Sequence, residues 1–132
     1  MRFLLDTHIW IWSYLEPEKL SSEVVRELAN PAHYRYLSPI SIWEMLVLLE
    51  KRRIQINQDF DQWFQRSKED LDLIELPLNW QIAHELRFTV LAQSDPADRF
   101  LVATAKVYDL TLVTADEHLV NAPGLSVLQN RC

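Results

Sequence analysis

Apolar residues come in short bursts along the chain, and the bursts alternate between two lengths. Phe3-Leu4-Leu5 is a compact run that stops at Asp6-Thr7, followed by Ile9 to Trp12 with Tyr14-Leu15. A buried strand, a turn and a helix fit this order, with Asp6 at the carboxyl end of the strand. Pro17 closes that helix, and Leu20 to Leu28 predicts a second amphipathic helix with Ser21 or Ser22 near its cap. After the break at Asn30-Pro31, the aromatic run Tyr34 to Leu37 predicts strand two, leading through Ser38-Pro39 into a helix that reaches Leu49. Asp59 to Glu69 predicts a short amphipathic helix, and Leu71 to Leu76 an edge strand closed by Pro77. Asn79 then caps a predicted helix through Leu91. Asp95-Pro96-Ala97-Asp98-Arg99 starts another helix, with Asp95 as N-cap and Pro96 at the first helical position. Thr111 to Thr114 and Leu125 to Leu128 complete the strands.

Strands alternating with helices throughout imply a three-layer α/β/α sandwich with a central parallel sheet covered on both faces. Such sheets bind ligands at the carboxyl ends of their strands. At 132 residues the expectation is one domain over residues 1–132.

Composition narrows the class. The one cysteine, Cys132, leaves no internal disulfide and fits a reducing cytoplasm. The apolar run Ile9 to Leu15 is too short to span a bilayer and lacks a basic flank, which predicts a soluble, untargeted chain. A formal net charge of −6 argues against a general nucleic-acid-coating protein. It leaves room for an enzyme that holds cations in an acidic pocket, because bound divalent ions reverse the local sign. Lys51-Arg52-Arg53, with Arg66 and Lys68, reads either as helix ends favoured by the macrodipole or, as a group, as a phosphate-contacting rim.

Four acids fall at the predicted ligand edge. Asp6 follows strand one, Glu44 lies on the helix after strand two, Asp98 sits at a helix start and Asp116 follows the Thr111 strand. Capping alone would account for Asp95 and Asp98, and Ser41 and Glu44 have capping-box spacing. If Ser38 is the cap instead, Glu44 lies about two turns inside the helix and needs another role. Two carboxylates ~5 Å apart repel by roughly 3 kcal/mol at an effective dielectric of ~20, so four gathered together call for protons or a counter-charge. Hard oxygen ligands with spare negative charge suit Mg²⁺ or Mn²⁺, and paired ions suit in-line attack on a phosphodiester. The residues therefore point to a metal-dependent phosphodiesterase site.

Leu4-Leu5-Asp6-Thr7-His8, Ser41-Ile42-Trp43-Glu44, Asp95-Pro96-Ala97-Asp98-Arg99 with Leu101 to Ala105, and Leu112-Val113-Thr114-Ala115-Asp116 together resemble the PIN-domain proteins. The resemblance is strongest to the VapC-type ribonuclease toxins of bacterial toxin–antitoxin pairs, and it covers nearly the whole chain. It implies a PIN-like fold and metal-binding, catalytic carboxylates at Asp6, Glu44, Asp98 and Asp116. It also implies Mg²⁺- or Mn²⁺-dependent cleavage of a transfer or ribosomal RNA, a homodimer, and a cognate antitoxin whose loss arrests translation. Thr114 resembles the hydroxyl that supports the last acid, and Asp95 the helix cap. The chain departs from the pattern at Gln93, Ser94 and Ala97, where relatives often carry basic, histidine or aromatic residues.

Other readings stand beside this one. Hard ions prefer oxygen, so His8 reads as an orienting or packing group and His118 as a possible substrate contact. Phosphoryl transfer through an aspartyl phosphate would need a second acid beside Asp6 or a lysine at a strand end, and Lys106 is predicted within a helix. A binding module would use the acids as caps only, and a DNA-directed nuclease would share the metal chemistry. The apolar excess in Ile9 to Trp12 and Met45 to Leu49 predicts, beyond core packing, a dimer face or a groove for an antitoxin segment.

Overall fold

In the structure, a computed structural model that describes residues 1–89, 91 and 95–131, five strands form one sheet. They are β1 (Arg2–Leu5), β2 (Tyr34–Leu37), β3 (Leu73–Glu75), β4 (Thr111–Thr114) and β5 (Ser126–Gln129). All pairings are parallel, in the order β3-β2-β1-β4-β5. The chain builds outward from β1 to β3 on one side, then crosses back to lay β4 and β5 on the other. Strand order thus reverses beside β1, and the crevice of such a sheet opens at the carboxyl ends of β1 and β4.

The helices are α1 (Thr7–Leu15), α2 (Ser22–Ala29), α3 (Pro39–Glu50), α4 (Phe60–Asp70), α5 (Trp80–Glu85), α6 (Pro96–Tyr108) and α7 (Glu117–Val120). Side chains at Asp6, Ser21, Ser38, Asp59, Asn79, Asp95 and Asp116 each accept a backbone amide proton at the helix they precede. Each N-terminus therefore satisfies one of the donors that helix geometry leaves open. Ser38 caps α3, so the capping-box alternative for Ser41 and Glu44 does not hold.

Alternation along β1 divides the interior into two cores, as a covered parallel sheet requires. Phe3 and Leu5 pack with Ile9, Trp10, Val24, Met45, Trp63 and Val113 on one face. Leu4 packs with Leu101, Val102, Ala105, Leu110, Leu112 and Leu119 on the other. Arg35 of β2 is buried as well, donating to the carbonyls of Leu28, Asn30 and Leu71.

Several elements differ from the sequence-based expectation, β3 for one being confined to Leu73–Glu75 within the expected Leu71 to Leu76. The α5 helix ends at Glu85 and tightens into a 3-10 turn over Leu86–Phe88 instead of continuing to Leu91. Its last carbonyls find other donors: the Thr89 hydroxyl reaches Glu85 O at 3.0 Å, and the Arg99 guanidinium reaches Leu86 O at 2.8 Å. The short α7, capped by Asp116, was not anticipated; four residues are too few to carry a periodic signal. The expected departures at Gln93 and Ser94, and Cys132, lie outside the described residues.

The apolar excess splits. Ile9, Trp10 and Ile11 of α1 and Met45 of α3 are core, whereas Trp43 and Leu46 of α3 are exposed. Trp80 and Phe88 are also exposed, beside α6. Among the described residues, no helix is long and apolar enough to cross a membrane.

Candidate metal centre

Each acid of the cleft is placed by the element it ends or begins. Asp6 follows β1 and extends the ladder, its amide bonding Val113 O at 2.9 Å. One carboxylate oxygen, Oδ1, accepts the Thr7 amide at 2.7 Å, and the other, Oδ2, accepts the Thr114 hydroxyl at 2.6 Å. Thr114 ends β4, and its oxygen also accepts the Asp116 amide at 3.0 Å. Asp116 in turn caps α7 through His118 N at 2.9 Å, with His118 Nδ1 at 3.0 Å from the same oxygen. The topological neighbours β1 and β4 thus deliver two acids fastened to each other through one threonine.

Helices supply the others. Glu44 projects from the second turn of α3 and accepts the hydroxyl of Thr7, which stands 2.9 Å from the hydroxyl of the buried Ser41. Asp98 lies half-buried in the first turn of α6, behind the N-cap Asp95, whose Oδ1 accepts the Ala97 amide at 3.0 Å. Asp6, Glu44, Asp95, Asp98 and Asp116 line one open cleft of about 370 Å³ together with His8, Trp12 and Ala115.

Crowding shows in the proton affinities. Burial, and then the charges of Asp6, Asp95, Asp116 and Glu44, push the Asp98 carboxyl up to about 7. Burial likewise raises Asp6, against the opposing hydrogen bonds from Thr114 and Thr7. Glu44 is raised by burial more than the Thr7 hydroxyl lowers it. Such shifts mark burial and like-charge crowding that the opposing charge of His8 at Asp6 does not offset.

Among the described residues, no three His, Cys, Asp or Glu side chains form a group that could hold one ion as placed. The four acids predicted from sequence share a cleft without forming a closed cage, as expected for like charges two of which, Asp6 and Glu44, are engaged by hydroxyls. The donor set itself fits a hard divalent cation: it is all oxygen, carries excess negative charge and opens to solvent on one side.

Two features were not legible. Asp95, read as a cap, is both cap and fifth acid of the cleft. Trp12 lines the cleft, and the four-residue spacing from His8 along α1 was the one signal that could have placed it there. Lys51, Arg52 and Arg53 are exposed beyond α3 and do not line the cleft.

A doubly wound parallel sheet with a cleft of carboxylates at its switch point defines an α/β protein with an acidic ligand edge. The chain belongs to the PIN domain family, whose model matches residues 3–125. It is 30% identical over 116 residues to Ribonuclease VapC22 of Mycobacterium tuberculosis, covering 88% of each chain. Its fold is similar to a chain of VapBC2 from Rickettsia felis bound to a promoter DNA fragment, with a TM-score of 0.73, 14% identity, and 99% and 100% of the two chains covered. It is also similar to a chain of DNA-bound VapBC from Salmonella typhimurium, with a TM-score of 0.69, 16% identity and 98% of each chain covered.

Proposed function

We propose that this protein, acting as one domain over residues 1–132, is a Mg²⁺- or Mn²⁺-dependent endoribonuclease and the toxin of a toxin–antitoxin pair. The observation that carries the reading is the convergence of Asp6, Glu44, Asp98 and Asp116 on one cleft at the carboxyl edge of the sheet. Support comes from a relative named as a ribonuclease and from toxin–antitoxin complexes among the similar structures. The substrate is a transfer or ribosomal RNA, the compartment the cytoplasm, and the partners a second copy of the chain and a cognate antitoxin. Exposed Trp43 and Leu46 offer apolar surface for such contacts.

Asp6, Glu44, Asp98 and Asp116 are the residues that would hold the metal. When bound, it would supply an activated water for attack on phosphorus and charge stabilisation for the leaving oxygen. The chain's own contribution is placement. Thr114 fixes Asp6 and the Asp116 backbone together, Thr7 fixes Glu44 to α1, and the α6 N-terminus carries Asp98 into the cleft. Rigid oxygen donors of this kind reduce the reorganisation needed when the transition state forms.

Purified, antitoxin-free protein incubated with a transfer-RNA and ribosomal-RNA pool should give discrete products with Mg²⁺ or Mn²⁺. Chelator and Asp98→Asn should abolish them. If no condition gives cleavage and metal leaves thermal stability unchanged, the acids act as caps and the protein is a binding module.

A further inference from the structure

One wall of the acidic cleft is not acidic. His8 and Trp12, one helical turn apart on α1, both line it. Their rings lie with centroids 5.6 Å apart at an interplanar angle of 51°. His8 is exposed, and its charge acts on Asp6 in the direction that lowers that acid's proton affinity. Trp12 is half-buried and packs against the core, which anchors the ring that His8 contacts. Lys19, ion-paired with Glu16 at 2.7 Å, covers another part of the Trp12 ring, its ammonium 5.5 Å from the ring centre.

Position gives this wall its meaning. Helix rise places His8 about 3 Å and Trp12 about 9 Å along the α1 axis from Asp6, which spans the neighbourhood of one nucleotide bonded to a phosphate at the acids. The acids repel the rest of a nucleic-acid chain wherever cations do not intervene, so attraction at the rim has to come from something other than phosphate charge. A π-face does this: aromatic side chains stack unpaired bases irrespective of sequence. A base locked in a duplex offers no free face to such a platform.

We propose that the His8–Trp12 pair is a nucleobase subsite, on which an unpaired base flanking the scissile phosphate of the RNA stacks. The inference rests on the nuclease reading and extends it to the residues that select unpaired RNA. His8 is the outer face of the platform and Trp12 its support.

The test uses His8→Ala and His8→Phe, which change an exposed ring and spare the core. The substrate is a short single-stranded oligoribonucleotide that the parent cleaves with Mn²⁺, and a version abasic beside the cleaved bond. His8→Ala should raise KM about tenfold with kcat within about twofold, in line with the loss of one base stack. Its Mn²⁺ affinity by calorimetry should match the parent's, and His8→Phe should restore KM. The abasic oligonucleotide should cost the parent a similar factor and His8→Ala almost nothing. An unchanged KM in His8→Ala overturns the proposal. So does a loss of kcat in both variants, which would make His8 a proton carrier or orienting group. If the parent binds Mn²⁺ but cleaves and binds no RNA, the nuclease reading falls first and the subsite falls with it.

Discussion

The Thr114 hydroxyl donates to the Asp6 carboxylate at 2.6 Å while its oxygen accepts the Asp116 amide at 3.0 Å, joining residues 108 positions apart at the floor of the cleft. Thr114 is fully buried, so its hydroxyl cannot exchange this bond for water. Thr114→Val keeps the shape and removes the hydroxyl. It should destabilise the protein by about 1–3 kcal/mol in urea unfolding, the usual cost of an unsatisfied buried group. Mn²⁺ affinity by calorimetry should fall as Asp6 loses its anchor and the bond that lowers its proton affinity. Thr114→Ser should restore most of both. A valine variant as stable and as metal-competent as the parent would mean that Asp6 is positioned by backbone alone.

If Asp98 holds a metal as proposed, proton and metal compete there. Its carboxyl titrates at about 7 in the fold against 3.8 ordinarily, so between those values the folded chain binds a proton that the unfolded chain has released. Stability from this group is present below about pH 4 and declines as pH rises through about 7. Raised Asp6 and Glu44 act in the same direction. A divalent ion prefers the deprotonated site, so its binding strengthens over the same window. The metal-free melting temperature should therefore drop between pH 5 and pH 8, and the increment given by Mn²⁺ should grow. A Mn²⁺ increment independent of pH would contradict titration of the cleft acids.

Asp95 permits a separation of cap from charge. Asparagine caps as well as aspartate does, so Asp95→Asn preserves the α6 N-terminus and removes one of the charges that raise Asp98. At pH 8 without metal, Asp95→Asn should be at least as stable as the parent, and Asp95→Ala should be less stable by about 1 kcal/mol. Equal melting temperatures for the two variants would show that the cap contributes nothing here.

Arg35 is the structural charge of the fold. Its guanidinium bonds Leu71 O at 2.8 Å, Leu28 O at 3.1 Å and Asn30 O at 3.3 Å, tying the end of α2 to the turn before β3. Asp72, at 3.5 Å, is exposed and adds little. Arg35→Met keeps the stem and takes the donor from the Leu28 and Leu71 carbonyls, Asn30 O keeping the His33 amide at 3.1 Å, and should cost about 2–4 kcal/mol in chemical denaturation. Asp72→Asn should lie within about 0.5 kcal/mol of the parent.

Local chemistry in the chain determined most of the frame. The apolar runs at Phe3 to Leu5, Tyr34 to Leu37 and Thr111 to Thr114, and the caps at Ser38, Asn79 and Asp95, act within one turn or one strand, so their spacing alone announced β1, β2, β4 and the starts of α3, α5 and α6. Alternating strands and helices then implied the parallel sheet, and that sheet has a ligand edge to which Asp6, Glu44, Asp98 and Asp116 all belong. Tertiary structure decided whatever depends on groups distant in sequence. The end of α5 is set by Arg99 and Thr89, the hold on Glu44 by Thr7, and the hold on Asp6 by Thr114. It also sorted identical residue types: Trp10 went to the core, Trp43 to solvent and Trp12 to the cleft wall. A hydrogen bond or a packing contact of this kind is defined only once two layers have come together, and no pattern within either layer encodes it.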